Sequence, residues 1–191
     1  MRIILASASP RRKELLKLLC VDFDILVGET DESINEGLPI TDEIKRLSYE
    51  KANAVSTLVS PDDVIIAADT AVTLGGKVFG KPRDADEAYS MLKTLSGKTH
   101  EVITGVTVKR GDKADTRAAV TKVTFRQLGD KEIKTYIATG DPFDKAGGYA
   151  LQGISSIFVT GISGDHFNVY GLPLSMLADM LRGLGIKVLG E

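Results

Sequence analysis

The chain has 191 residues, enough for a sizeable core, and its 24 basic against 26 acidic side chains leave a formal net charge of -2. That balance argues against a general nucleic-acid or membrane-surface binder, so any basic cluster reads as a local site. One cysteine, Cys20, excludes an internal disulfide framework and suits a reducing cytoplasm. At the end of an apolar helical run, Cys20 is expected to be a buried structural thiol. No apolar run approaches spanning length, and the opening residues read directly as a strand with no signal-like segment ahead of them, so a cytoplasmic protein is expected.

Ile3-Ile4-Leu5-Ala6 reads as a buried strand, Ser7-Ala8-Ser9-Pro10 as a turn, and Arg11 to Leu19 as a helix with Ser9 at its N-cap and Pro10 at its first position. Thr41 is expected to cap a long helix reaching about Leu58. Val64 to Ala68 form a continuous apolar run of strand length, which suits a central strand covered on both faces, with Asp69 at its end. Ala71 to Val78 suggest a hairpin turning at Gly75-Gly76, and Asp84 to Leu95 a helix stopped by Gly97. Glu101–Lys109 and Thr116–Phe125 read as long strands joined near Gly111-Asp112. Asp130 is expected to cap a short helix, Gly140-Asp141-Pro142 to open a loop, Ile157–Ile162 and Phe167–Tyr170 to pair as a hairpin, and Pro173 to start the last helix. This alternation predicts an α/β layer architecture. With no low-complexity linker and no internal repeat, residues 1–191 are expected to be one folded domain, any two lobes around a cleft being parts of that one unit.

Several charges fall where they are costly. The first helix opens on Arg11, Arg12 and Lys13, although a helix N-terminus is the positive end of the macrodipole. Either these side chains extend into solvent or an anion such as phosphate sits there. Lys51 falls in the stripe formed by Ile44, Leu47, Val55 and Leu58, so it must snorkel past the edge or meet something negative. Asp69 follows five apolar residues, at the kind of strand end where open α/β sheets place ligands. Gly75 to Pro82 nearly fits a phosphate-binding loop, but Pro82 replaces the hydroxyl residue that would hold magnesium; what remains is Lys81 on a stiff mount. The segment Gly140 to Gly153 offers Lys145 for phosphate and Gln152 for a base edge, or is a solvated loop. His100 and His166 are too isolated for a metal cluster and receive no catalytic role.

Taken together, Ser7-Ala8-Ser9-Pro10-Arg11-Arg12, Glu50-Lys51-Ala52, Ala68-Asp69-Thr70, Gly80-Lys81-Pro82, Ser96 to His100, Asp144-Lys145-Ala146-Gly147, Gln152-Gly153 and Gly171-Leu172-Pro173-Leu174 resemble the Maf family of nucleoside triphosphate pyrophosphatases. The resemblance runs in order along nearly the whole chain. It implies an α/β fold of the inosine-triphosphatase-like type, with a mixed twisted sheet and two lobes around a central cleft. It also implies hydrolysis of a nucleoside triphosphate to the monophosphate and pyrophosphate with a divalent cation, Mg2+ or Mn2+.

Position by position, the resemblance puts the acid-base role on Asp69 and phosphate contacts on Ser7, Arg12, Lys51 and Lys81. Glu32 matches an acidic position near the metal, which Glu32 and Asp69 would hold. Asp144 and Lys145 match a loop that closes on the ligand. Arg11, Thr70 and Gln152 resemble the branch acting on dTTP and UTP; a branch preferring 7-methyl-GTP would carry Trp in place of Arg11. Asp141 stands where many relatives carry Glu. Since free aspartate, with a pKa of about 3.9, is a weak base, metal coordination is expected to share in activating the water. The competing expectation is a nucleotide-binding regulator of cell division and septum formation without significant turnover. A nucleoside triphosphate is the expected partner, neither nucleic acid nor membrane is, and a homodimer is suggested by the resemblance alone.

Overall fold

In the computed structural model, residues 1–35 and 37–190 are described. Their contacts divide the chain into two compact units: Met1–Asp69 with Thr104–Ala119 and Gly171 onward, and Thr70–Ile103 with Val120–Tyr170. The division falls inside strands, so Asp69 ends one unit and Thr70 begins the other.

In the first unit, β1 (Ile3–Leu5) lies parallel to β2 (Asp24–Ile25) on one side and to β3 (Val64–Leu74) on the other, with Leu5 opposite Ile66. The unbroken apolar runs of β1 and of the first half of β3 are buried, as strands covered on both faces require. Because the pairing is parallel, the chain leaving β1 and the second half of β3 emerge at one end of the sheet. Ser7 and Asp69 lie there.

α1 (Pro10–Lys17) starts as its sequence dictates, with Ser9 Oγ accepting from the Arg12 amide at 3.5 Å and Pro10 in the first turn. It stops two residues earlier than expected. Cys20 then lies in a turn with φ of 54° and is exposed, which corrects the expectation of a buried thiol. α2 (Ile40–Ser56) buries Ile44, Leu47, Ala52 and Val55. Thr41 does not cap it; Pro39 holds that position without a side-chain bond, and Leu58 lies beyond the helix and is exposed. Gly105, in β5 (Thr99–Arg110), permits close packing of α2: a Cβ there would stand 2.5 Å from the Ile44 carbonyl oxygen. α6 (Leu174–Gly183) follows Pro173 and completes this unit with a buried face of Leu174, Leu177 and Leu181.

The sheet order is β2-β1-β3-β5-β6-β7, with β4 on β3. In the second unit, β3 and β4 (Lys77–Phe79) form the expected hairpin, Leu74 opposite Lys77, with Gly75 and Gly76 both at positive φ. α3 (Ala85–Leu95) is capped by Asp84, which accepts from the Glu87 amide at 2.8 Å. β6 (Lys113–Phe125) pairs antiparallel with β7 (Val159–Ser163). α4 (Asp130–Ile137) begins at Asp130 itself, with Gly129 at the N-cap, so Asp130 is not the cap. The expected hairpin between 157–162 and 167–170 does not form either. Asp165 instead caps a helical turn, α5 (His166–Val169), through the Phe167 amide at 2.8 Å; a capping carboxylate outweighed the strand preference of the aromatic residues. No helix among the described residues is long and apolar enough to cross a membrane.

The core of the second unit contains an aromatic cluster with His100 inside it. His100 packs edge-on against Phe125 and Tyr149, and its Nε2 lies 2.6 Å from the Tyr149 hydroxyl. Burial alone pushes its pKa down to about 4, below the ordinary 6.5 that it regains on unfolding. The unfolded chain therefore binds the extra proton between these values, and stability falls as pH drops from about 6.5 to 4, by up to about 3 kcal/mol, then levels off. Denaturant unfolding across this range is expected to show that loss, and His100→Gln to flatten it.

Candidate active site

The first unit gathers one set of the expected residues. Lys51, on the fourth turn of α2, extends its ammonium to Asp69 Oδ1 in β3 and to Glu32 Oε1 at 2.7 Å. The side chains of Lys51 and Asp69 are each only 14% exposed, whereas that of Glu32 is 59% exposed. The lysine in the apolar stripe thus meets negative charge as its position demanded: two carboxylates from distant parts of the chain share one cation. Asp69 is not at a strand end, because β3 continues to Leu74. Its run of buried apolar residues simply gives way to a partly exposed pair, Asp69 and Thr70.

Arg12 approaches the same carboxylates. Its Nε donates to the Gly171 carbonyl at 2.9 Å and its Nη1 to Ser7 Oγ at 3.3 Å. Burial lowers its pKa below the usual arginine value, Asp69 opposes that shift, Arg11 adds to it and Glu32 opposes it; a guanidinium stays charged throughout. Ser7 is buried, and its hydroxyl also accepts from the Ser9 amide at 3.2 Å. The turn before α1, the start of α1 and Gly171 therefore fix Arg12 directionally. With no acidic residue in the first turn of α1, positive potential accumulates at this helix end. Arg11 is partly buried beside it.

A second set lies in the second unit. Lys145 is buried, with its ammonium donating to the Asp141 carbonyl at 2.6 Å, to Asp141 Oδ1 at 3.2 Å and to Asp144 Oδ1 at 2.5 Å. Tyr136 donates to Asp141 Oδ2 at 3.0 Å, and its hydroxyl lies 3.2 Å from Ser155 Oγ, which bonds the backbone of Ala150. The expected Gly140–Gly153 loop is thus a chain of short 3-10 turns, Asp141–Asp144 and Ala146–Gly148, braced from within. The Gly147 amide donates to the Gly80 carbonyl at 2.9 Å, tying this segment to the mount of Lys81. Gly147 has a φ of 68° and a Cβ would meet Val72 at 3.1 Å, so glycine is required. Lys81, Asp144 and Gln152 are exposed, and Thr70 is partly buried.

Among the described residues no three His, Cys, Asp or Glu side chains form a metal-binding group. Two carboxylates on a common cation nevertheless fit a hard divalent ion, which takes one or two carboxylates and completes its shell with water and substrate phosphate oxygens.

A model of the family described as Maf-like protein matches residues 2–184. The chain belongs to the Maf family. Among its relatives, the dTTP/UTP pyrophosphatase of Thermosipho africanus (strain TCF52B) is 50% identical over 186 residues, covering 97% of this chain and 95% of the relative. The dTTP/UTP pyrophosphatase of Bacillus cereus (strain ATCC 14579) is 48% identical over 187 residues, covering 98% and 97%. Among solved structures, the Staphylococcus aureus Ham1 protein superposes with a TM-score of 0.56 at 12% identity, covering 96% of this chain and all of that one. That likeness establishes the α/β fold, in agreement with the architecture expected from the Maf resemblance.

The Gly171 carbonyl that aims Arg12, and the Tyr136 hydroxyl that braces Asp141, were missed by sequence reasoning. Neither leaves a local signal. A backbone carbonyl has no letter of its own, and a tyrosine on an amphipathic helix reads as core.

Proposed function

We propose that this Maf protein hydrolyses dTTP and UTP to the nucleoside monophosphate and pyrophosphate, using a divalent metal cation. The observation that carries the reading is the junction of Lys51 with both Glu32 and Asp69, beside an Arg12 held in place by Ser7 and Gly171. The names of relatives about half identical over nearly the whole chain support the substrate class.

Asp69 orients the attacking water and accepts its proton as the oxygen bonds to the α-phosphorus and the pyrophosphate leaves. Glu32 and Asp69 are the residues that would hold the metal. When bound, such an ion acidifies water and offsets phosphate charge. Lys51 keeps the two carboxylates from repelling an incoming triphosphate and is itself a phosphate contact. Arg12, with Ser7 and the amides at the start of α1, binds phosphate oxygens. From the family match we also assign phosphate contact to Lys81 and Lys145, ligand-dependent movement to the Asp144-Lys145 segment, and base selection to Arg11, Thr70 and Gln152. The Gln152 amide can both donate and accept, as the imide edge of uracil or thymine requires.

A panel of nucleoside triphosphates with Mg2+ or Mn2+ and substoichiometric protein tests the reading. The expected result is repeated turnover of dTTP and UTP, far above that of ATP, GTP or 7-methyl-GTP. Preferential turnover of 7-methyl-GTP would overturn the assignment of Arg11, Thr70 and Gln152. Tight binding without turnover would favour a nucleotide-binding regulator.

A further inference from the structure

Glu32 lies in a segment, residues 26–35, that forms neither helix nor strand, and such backbone cannot hold a carboxylate at a fixed point unless something anchors it. The anchor is on α2. Glu43, in the first turn, is fully buried. Its Oε1 accepts from the Asn35 amide at 2.8 Å, and both of its oxygens accept from Arg46, Oε2 from Nε at 2.9 Å. Arg46 also donates through Nη2 to the Ser33 carbonyl at 3.0 Å and through Nη1 to Glu50 Oε1 at 2.5 Å. Asp31 Oδ1 accepts from the Ser33 amide at 2.9 Å, closing a turn around Glu32.

A carboxylate wholly out of water is costly unless paired and fully bonded, and for stability alone an apolar pair at these positions would serve as well. What apolar side chains could not do is take up a peptide N–H and a peptide C=O of an irregular segment. Glu43 and Arg46 bond one of each, at Asn35 and Ser33, immediately after Glu32. Lys51, farther along the same helix, receives the Glu32 carboxylate itself. One helix thus carries both the fastening of the segment and the cation its acid meets.

We propose that Glu43 and Arg46 are positioning residues, which hold residues 33–35 against α2 so that Glu32 is presented next to Asp69 for metal binding. This rests on the assignment of Glu32 and Asp69 as the metal-holding pair. Loosening the fastening leaves nucleotide contacts intact and weakens the response to metal.

The test uses Glu43→Gln and Arg46→Gln, each alone and combined with Glu32→Gln, in the full-length protein. Arg46 is one-third exposed, so its replacement keeps the test available if the buried Glu43 variant does not fold. Mn2+ binding to the enzyme is followed by electron paramagnetic resonance, and amide exchange is followed over residues 31–35. Each single variant is expected to weaken Mn2+ binding by about 10-fold or more, to speed exchange in that segment, and to leave KM for dTTP at saturating metal within about 2-fold. In the Glu32→Gln background the same substitutions are expected to change Mn2+ binding no further, since they act through Glu32. Unaltered Mn2+ binding in both single variants, or a full additional loss in the double variants, overturns the positioning role. If Glu32→Gln alone binds Mn2+ as the parent does, the metal-holding assignment fails, and the inference with it.

Discussion

Asp69→Asn is expected to reduce turnover by about 10²- to 10⁴-fold while nucleotide binding remains largely intact. The substitution keeps the size and one oxygen acceptor of the side chain but removes the charge that draws a proton from water. It also frees Lys51 from one of its two carboxylates, so its ammonium becomes more available to phosphate, and KM for dTTP is expected to stay level or fall. Stability is expected to fall only modestly, because Lys51 keeps Glu32 as a partner and is not left an uncompensated charge. Single-turnover kinetics with equilibrium nucleotide binding separates these effects. Near-normal hydrolysis by this variant would remove Asp69 from the chemistry.

Arg12→Ala is expected to act in the opposite sense, raising KM for dTTP by about 10- to 100-fold through the loss of charge-assisted bonds to phosphate. Arg12→Lys is expected to restore only a small part. In the arginine, Nε and Nη1 are engaged by Gly171 and Ser7 at the same time, which fixes the plane of the fork. A lysine has a single nitrogen and no planar fork, so it cannot meet the Gly171 carbonyl and the Ser7 hydroxyl in this geometry and still present a fixed face to phosphate. Stability of the alanine variant is expected to fall by about 1–2 kcal/mol, since the Gly171 carbonyl and Ser7 hydroxyl each lose a donor. Measured KM values for all three proteins, with thermal unfolding, check both statements. An Arg12→Lys enzyme indistinguishable from the parent would contradict the directional role.

Much of this molecule was legible before its structure. Ser9 and Pro10 marked the start of α1, and the twin glycines at 75 and 76 marked the turn between β3 and β4, because capping and positive φ are local chemistry carried by a few side chains. Lys51 could be singled out because a cation in an apolar stripe demands a partner; that the partners are Glu32 and Asp69, 19 residues before it and 18 after it, depends on how the chain folds back on itself. Cys20 misled because the run before it stays apolar after the helix has ended, and apolar letters alone do not say where a helix stops. Phe167 to Tyr170 misled because aromatic residues favour strands, while one aspartate ahead of them is sufficient to start a helical turn. Glu43 was hidden in plain view: it lies four residues before Leu47 on the buried side of α2, with Arg46 three residues on. Buried acids are rare, and nothing in this spacing alone marks Glu43 as one.

In the proposed reaction a water managed by Asp69 attacks the α-phosphorus. Hydrolysis of dTTP in water enriched with oxygen-18, with products resolved by mass spectrometry, tests it most directly. The expected result is one labelled oxygen in the thymidine monophosphate and none in the pyrophosphate. Label in the pyrophosphate, or release of inorganic phosphate with thymidine diphosphate, would contradict it.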